Sequence, residues 1–314
     1  VVILNTKRSP DGEIFVPVSS GLTLCCRVDG PADGRPLLLI AGHGQQLIEW
    51  PPELVDRLVD AGFRVIRFDN RDVGRSGRAS MTPPSTLEML LRRFRPGRYD
   101  LGDMALDTVA LLDGLEVDAV HVVGMSMGGM IGQTLAARHP SRVVSLTSIM
   151  STTGARRIGR PALSSYLHLF RPPSAERAVA AEQTVAVMRH IGSRGFPFDE
   201  ARVRVVALEM WDRDGGTNAD GPARQLAAIF KSGDRTVEVE RIAVPTLVIH
   251  GDSDRMVNPT GGWATSRAIR GSRLLTIRGM GHDLPAGACS ELAAAIADHC
   301  RAAESRVVTK TETA

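Results

Sequence analysis

Ala119-Val120-His121-Val122-Val123-Gly124-Met125-Ser126-Met127-Gly128 runs from a strand-like stretch into a serine flanked by glycines, and a helical pattern follows from Gly129 to His139. The segment Gly124 to Gly128 fits the spacing G-x-S-x-G. In 314 residues holding 31 Gly and 21 Ser, chance supplies roughly 0.2 such matches, so the pattern alone carries little weight. Its position between strand and helix carries far more. A nucleophile raised on a strained strand-to-helix turn needs neighbours without a clashing Cβ, and the two glycines meet that need.

Reading outward, short apolar runs alternate with amphipathic helices. Glu13 to Val28 reads as a β-hairpin turning at Ser19-Ser20-Gly21. Leu37 to Ile40 is a buried strand, Pro51 to Ala61 a helix, Phe63 to Phe68 a strand and Tyr99 to Gly114 a helix. Strand 119–123, helix 129–139 and strand Val143 to Ile149 follow. Continuous apolar strands between helices predict a mostly parallel sheet covered on both faces, a doubly wound α/β core. The alternation stops between about 155 and 240, where helical patterns, many arginines and breakers at Pro161, Pro172-Pro173, Gly215-Gly216 and Gly221-Pro222 replace it. It resumes with strand Val244 to Ile249, a helix near 260–269, strand Arg273 to Ile277 and a helix over 285–302. The expected organisation is a core of 1–154 and 241–314 with a helical cap inserted at 155–240. The tail from Ser305 is polar and expected to fray.

A serine hydroxyl is a poor nucleophile without a base to take its proton. Of the eight histidines, His121 falls within a strand, and His139, His168, His190 and His299 fall in helical stretches. That leaves His43, His250 and His282 near C-terminal strand ends. His282, in Arg278-Gly279-Met280-Gly281-His282-Asp283-Leu284-Pro285 after the last strand, is the candidate base. An acid must fix its tautomer. Asp254, in His250-Gly251-Asp252-Ser253-Asp254, is the candidate, with Asp252 the alternative and Asp72 a more distant one. Two backbone N–H groups must hold the oxyanion. One is expected from Met127. The other is expected from Ala41-Gly42-His43-Gly44-Gln45-Gln46, with His43 preferred and Gly44 as fallback.

Composition narrows the partners. Hydrophobic residues form 43% and charged residues 23% of the chain, which excludes wholesale disorder. The 38 basic and 35 acidic residues leave a net charge of +3, and dispersed basic residues without a one-sided patch argue against nucleic acid. All the basic residues except Lys7, Lys231 and Lys310 are arginine, a skew read as GC-rich coding. No apolar run nears the roughly 18 residues of a membrane span. Val1 to Leu4 is too short for a secretory h-region, so a cytoplasmic protein, monomer or homodimer, is expected. Cys25, Cys26, Cys289 and Cys300 lack metal-site spacing and are read as reduced packing residues.

These motifs resemble the α/β-hydrolase superfamily over 13–302, and within it a bacterial esterase group, that of the aclacinomycin methylesterases. The shared stretches are Val65-Ile66-Arg67-Phe68-Asp69-Asn70-Arg71-Asp72-Val73-Gly74-Arg75-Ser76, His121 to Gly128, and Gly279-Met280-Gly281-His282 with Leu284-Pro285; Gly195-Phe196-Pro197-Phe198-Asp199 is also similar. The resemblance implies the α/β-hydrolase fold and a structural loop over Asp69 to Ser76. It also implies Ser126, Asp254 and His282 as triad, in the chain order of the superfamily. His43 departs from it, standing where many relatives carry a small or apolar residue.

The expected activity is therefore hydrolysis of a carboxylic ester of a small apolar molecule, a polyketide-type methyl ester or a macrolactone, through an acyl-enzyme and without cofactor or metal. Relatives that attack with a carboxylate are set aside because position 126 is serine. Acyl transfer, perhydrolysis or C–C hydrolysis on the same triad are the alternatives, and a non-catalytic small-molecule receptor is the alternative of another class. Leu163, Tyr166, Leu167, Leu169, Phe170, Met188, Phe196, Phe198, Met210 and Trp211 are divided between the cap's own packing and a pocket.

Overall fold

Leu37 and Leu39 point to one face of a sheet while Leu38 and Ile40 point to the other, and all four are fully buried. Strand alternation in an all-apolar run gives this result only when both faces are covered. The computed structural model describes residues 6–169, 174–216 and 218–312. Val1 to Leu4, Phe170 and Pro172-Pro173 lie outside them.

Strands β1 (Lys7–Arg8), β2 (Ile14–Pro17), β3 (Thr23–Asp29), β4 (Arg35–Ile40), β5 (Phe63–Phe68), β6 (Val120–Met125), β7 (Val143–Ile149), β8 (Thr246–Gly251) and β9 (Arg273–Ile277) share one sheet. Their order is β1-β2-β3-β5-β4-β6-β7-β8-β9. The pairings from β1 to β5 are antiparallel, and β5 through β9 run parallel. Helices α1 (Pro52–Asp60), α2 (Thr86–Leu91), α3 (Leu101–Gly114) and α4 (Met127–Arg138) precede β7. Five follow it: α5 (Tyr166–Leu169), α6 (Arg177–Ile191), α7 (Glu200–Asp214), α8 (Asp220–Ser232) and α9 (Thr236–Val239). After β8 come α10 (Thr260–Ala268) and α11 (Cys289–Glu312). Residues of α3 and α4 pack with Leu38, Ile40, Ile66 and Val122, and those of α1 and α11 with Leu37, Leu39, Val65 and Val123. Each fully buried Leu or Ile side chain contributes about 1.5–3 kcal/mol.

Three local features differ from the sequence reading. Strand β6 extends to Met125 and α4 starts at Met127, so Ser126 alone makes the turn. Helix α2 was not anticipated, although Ser85 and Glu88 cap it reciprocally, a pattern legible as S-x-x-E. Helix α11 runs through Glu312, past the expected end near 302.

The helices between β7 and β8 are bound to the sheet by buried charge. Arg213, in the last turn of α7, donates to Asp69 Oδ2 at 2.6 Å, to Gln46 Oε1 at 2.9 Å and to Glu13. Arg224 of α8 donates to Asp72 Oδ1 from Nε and Nη2, at 3.0 and 2.8 Å. Asp69 and Asp72 are fully buried. Helix α9 is seated on α4 and α10, with Val239 in the core. The four cysteines are buried with free thiols. No helix among the described residues is long and apolar enough to cross a membrane.

Candidate active site

Ser126, Asp254, His282 and the Gly42-His43-Gly44 loop follow the C-terminal ends of β6, β8, β9 and β4. This is the edge at which parallel α/β sheets place their ligands. Ser126 adopts φ 54 and ψ −120, a conformation costly for a residue with a Cβ and held here by its surroundings. Its N–H donates to Ile149 O at 2.9 Å, and its carbonyl accepts from Ser151 Oγ at 2.8 Å. Both flanking glycines are sterically required: a Cβ on Gly124 would lie 2.2 Å from Gly128 O, and one on Gly128 would lie 2.0 Å from Ile40 O. Gly128→Ala is accordingly expected to destabilise the protein severely. Gly132→Ala, whose Cβ would meet only side-chain atoms at 3.1 Å, is the control on the same helix. A thermal melt should place Gly128→Ala at least about 5 °C below Gly132→Ala; equal midpoints would refute this.

Ser126 Oγ lies 3.0 Å from His282 Nε2, and His282 Nδ1 lies 2.8 Å from Asp254 Oδ2. Asp254 Oδ1 accepts from the amides of Met256 and Val257, both at 2.8 Å. Burial works against the Asp254 charge, but the facing His282 and the bonds from His250 and His282 outweigh it and hold the carboxyl at about 2. An ionised Asp254 makes His282 Nδ1 the protonated nitrogen and leaves the Nε2 lone pair for the Ser126 hydroxyl proton. Asp252 turns elsewhere, accepting from Gly279 N at 2.7 Å. Asp72 is taken by Arg224 and by Tyr99 Oη at 2.7 Å. His250 is fully buried; its Nε2 reaches Val257 O at 2.8 Å and Asp254 Oδ2 at 3.3 Å.

The loop after β4 uses up its own amides. Gly42 N donates to Gln45 Oε1 at 2.9 Å, Gly44 N to Gln225 Oε1 at 2.8 Å and Gln45 N to Gly42 O at 3.3 Å. Gln46 N donates to Glu49 Oε2 and Leu47 N to Asp69 Oδ1, at 2.8 and 2.7 Å. Among the described residues, the amides of His43 and Met127 are left without a protein acceptor. The His43 imidazole is turned to α8. Its Nε2–H donates to Pro222 O of α8 at 2.7 Å, and burial lowers its basicity against the pull of that carbonyl.

A cavity opens on Ser126 and His282, walled by Met125 and Met150 of the core and by Thr184, Met188, Phe198, Val203, Val206 and Met210 of the inserted segment. Gln45, Glu49, Asp199, Arg202 and Asp283 add polar groups to the wall. Of the ten apolar residues singled out from sequence, Met188, Phe198 and Met210 line it, Phe196 packs on the core, and Leu163 and Leu167 are exposed. The segment 191–195 also braces the His282 loop. His282 N donates to Ile191 O at 2.8 Å, and Gly281 N to Ser193 Oγ at 2.9 Å. Glu49, Ser193 and Gln225 escaped the sequence reading, and Gln45 entered it only as part of the loop; the Gln46 to Glu49 capping spacing could have pointed to the first turn after it.

A family profile of the α/β hydrolase fold matches residues 35–285. The chain is 33% identical over 292 residues to the rhodomycin D methylesterase DnrP of Streptomyces peucetius, covering 87% of this chain and 93% of that protein. It is 33% identical over 295 residues to the rhodomycin D methylesterase DauP of a Streptomyces species, covering 88% and 94%. Among solved structures, the enol-lactonase of Burkholderia xenovorans superposes with a TM-score of 0.68 at 24% identity, covering 91% of this chain and 98% of that one; at that identity the likeness speaks for the fold alone. The sheet order, the profile and the methylesterase kinship agree: the chain belongs to the α/β-hydrolase fold family, as a carboxylic ester hydrolase of its bacterial methylesterase group.

Proposed function

We propose that this ester hydrolase works through an acyl-enzyme on Ser126, with His282 as base and then acid, and Asp254 as the group that orients His282. The observation that carries this reading is the unbroken relay from Ser126 Oγ through His282 to Asp254, at 3.0 and 2.8 Å. Ser126 Oγ attacks the ester carbonyl as its proton passes to His282 Nε2, and the imidazolium returns that proton to the departing alkoxide. Water then repeats the sequence on the acyl-enzyme: His282 takes its proton, the hydroxide attacks, and the acid leaves as Ser126 is reprotonated. The Met127 and His43 amides are the proposed oxyanion donors, supported by the engagement of the neighbouring amides elsewhere.

The segment 155–240 serves as a cap, with its last turn, α9, seated on the core. An apolar wall on α6 and α7 suits a hydrocarbon-rich ester. Together with the kinship to rhodomycin D methylesterases, it favours a methyl ester of a polyketide-type molecule, or a macrolactone, as substrate.

Intact-mass analysis with an organophosphonate, alongside turnover of p-nitrophenyl acetate, butyrate and octanoate, tests the nucleophile. Wild type is expected to gain one adduct and to hydrolyse the esters. Ser126→Ala is expected to lose the adduct and about 1,000-fold or more in kcat. An adduct retained in Ser126→Ala, or turnover within tenfold of wild type, would reassign the nucleophile.

A further inference from the structure

Glu49 is a half-buried carboxyl on the cavity wall that the proposed mechanism does not use. Its Oε2 is committed to capping the turn, accepting from Gln46 N at 2.8 Å. Among the described residues its Oε1 has only the Gln45 Nε2–H at 3.3 Å, and Gln45 in turn grips Gly42 N through Oε1. A Cβ on Gly42 would lie 3.2 Å from Ser126 Cβ, so this short chain of contacts brings Glu49 within two side chains of the nucleophile.

The other ionisable groups on the wall are spoken for. Arg202 makes two bonds to Glu53 at 2.7 and 2.9 Å, and Asp283 accepts from Ser193 Oγ at 2.5 Å. Asp199 is exposed and caps α7. Burial, with the Asp69 and Asp214 carboxylates adding to it, pushes Glu49 up to about 7 against its two donors. A carboxyl oxygen of a half-buried residue on a cavity wall, with one long hydrogen bond, is under-satisfied unless something else supplies a donor.

We propose that Glu49 is a specificity-determining residue whose Oε1 accepts a hydrogen bond from a hydroxyl or ammonium group carried by the substrate near its scissile ester. The natural substrate is then a hydroxy- or amino-substituted ester and not a purely hydrocarbon one. This rests on the reading of Ser126 as nucleophile in the same cavity.

The test is a panel of butyrate esters bearing hydrogen, hydroxyl, methoxy or ammonium, placed on the acyl chain in one series and on the alcohol in another, with acid release followed by titration. Methoxy keeps the acceptor oxygen of hydroxyl but cannot donate. In wild type, at least one hydroxyl or ammonium ester should exceed its methoxy partner in kcat/KM by about tenfold or more, because a site built to hydrogen-bond a donor rejects the analogue lacking one. Whether hydroxyl or ammonium gives the larger ratio identifies the donor. Glu49→Gln keeps an oxygen for the Gln46 amide and turns an NH2 to the cavity, and should bring that ratio down toward one. Wild-type ratios near one in both series, or a ratio unchanged in Glu49→Gln, would overturn the proposal. Failure of the underlying reading looks different: Ser126→Ala would then still turn over the unsubstituted ester.

Discussion

Asp254→Asn is expected to lower kcat on p-nitrophenyl butyrate by about 10,000-fold while the thermal midpoint stays close to wild type. The reason lies in which oxygen is already taken. Oδ1 accepts from the Met256 and Val257 amides, both at 2.8 Å, so the asparagine carbonyl must occupy that place. Its NH2 then replaces Oδ2 and faces His282 Nδ1, which has to become the acceptor. The ring proton moves to Nε2, where it blocks uptake of the Ser126 proton. The variant would keep its geometry and lose its base. Organophosphonate labelling should slow in parallel, and a 15N shift measurement should place the imidazole proton on Nε2. A loss of less than about tenfold in kcat would mean that Asp254 does not set the tautomer. In wild type the carboxyl is held at about 2, so an acid limb in the pH–rate profile well above that value reports another group.

The second large effect concerns stability. Arg213→Ala leaves Asp69 fully buried, with the Leu47 and Arg75 amides as partners but no facing cation, and takes one of its two arginines from Glu13. Breaking one side of a buried ion pair costs about 3–5 kcal/mol, because the remaining charge stays desolvated. Urea denaturation should give a loss of that order. Arg177→Ala, on an exposed pair with Asp212, should leave the midpoint unchanged. If the two variants melt alike, the buried cluster does not hold the inserted helices. Arg213 is also the only link from α7 to both Glu13 and Asp69 among the described bonds, so its loss should raise protease sensitivity in α7 before the core yields.

The core was legible because its signals are local. An all-apolar run such as Leu37 to Ile40 reads as a buried strand wherever it stands, and a glycine that cannot carry a Cβ marks a tight turn. Ser126 and His282 followed from those turns and from chain order. The choice of Asp254 over Asp252 is different in kind. Two carboxylates two residues apart share composition and loop, and only the folded turn sends one to Gly279 N and the other to His282. Gln225 lies 181 residues from the Gly44 amide it holds, and nothing near it in sequence announces that contact. The cavity wall was ambiguous for a similar reason: α6 and α7 bear apolar residues on several sides, and periodicity does not say which side faces the serine. Glu49 was hidden by its capping role, an ordinary use for a glutamate at that spacing.

The inserted helices do more than roof the cavity. Helix α8 holds Gly44 N through Gln225 and the His43 ring through Pro222, while Ile191 at the end of α6 and Ser193 just beyond it hold the amides of His282 and Gly281. The loop after β4 and the His282 loop are therefore suspended from the same removable-looking piece of chain. Exchanging that piece wholesale would remove these holds from both loops at once. A designer who wants a new specificity should recolour those surfaces and leave the scaffolding at 191–195 and 222–225 untouched.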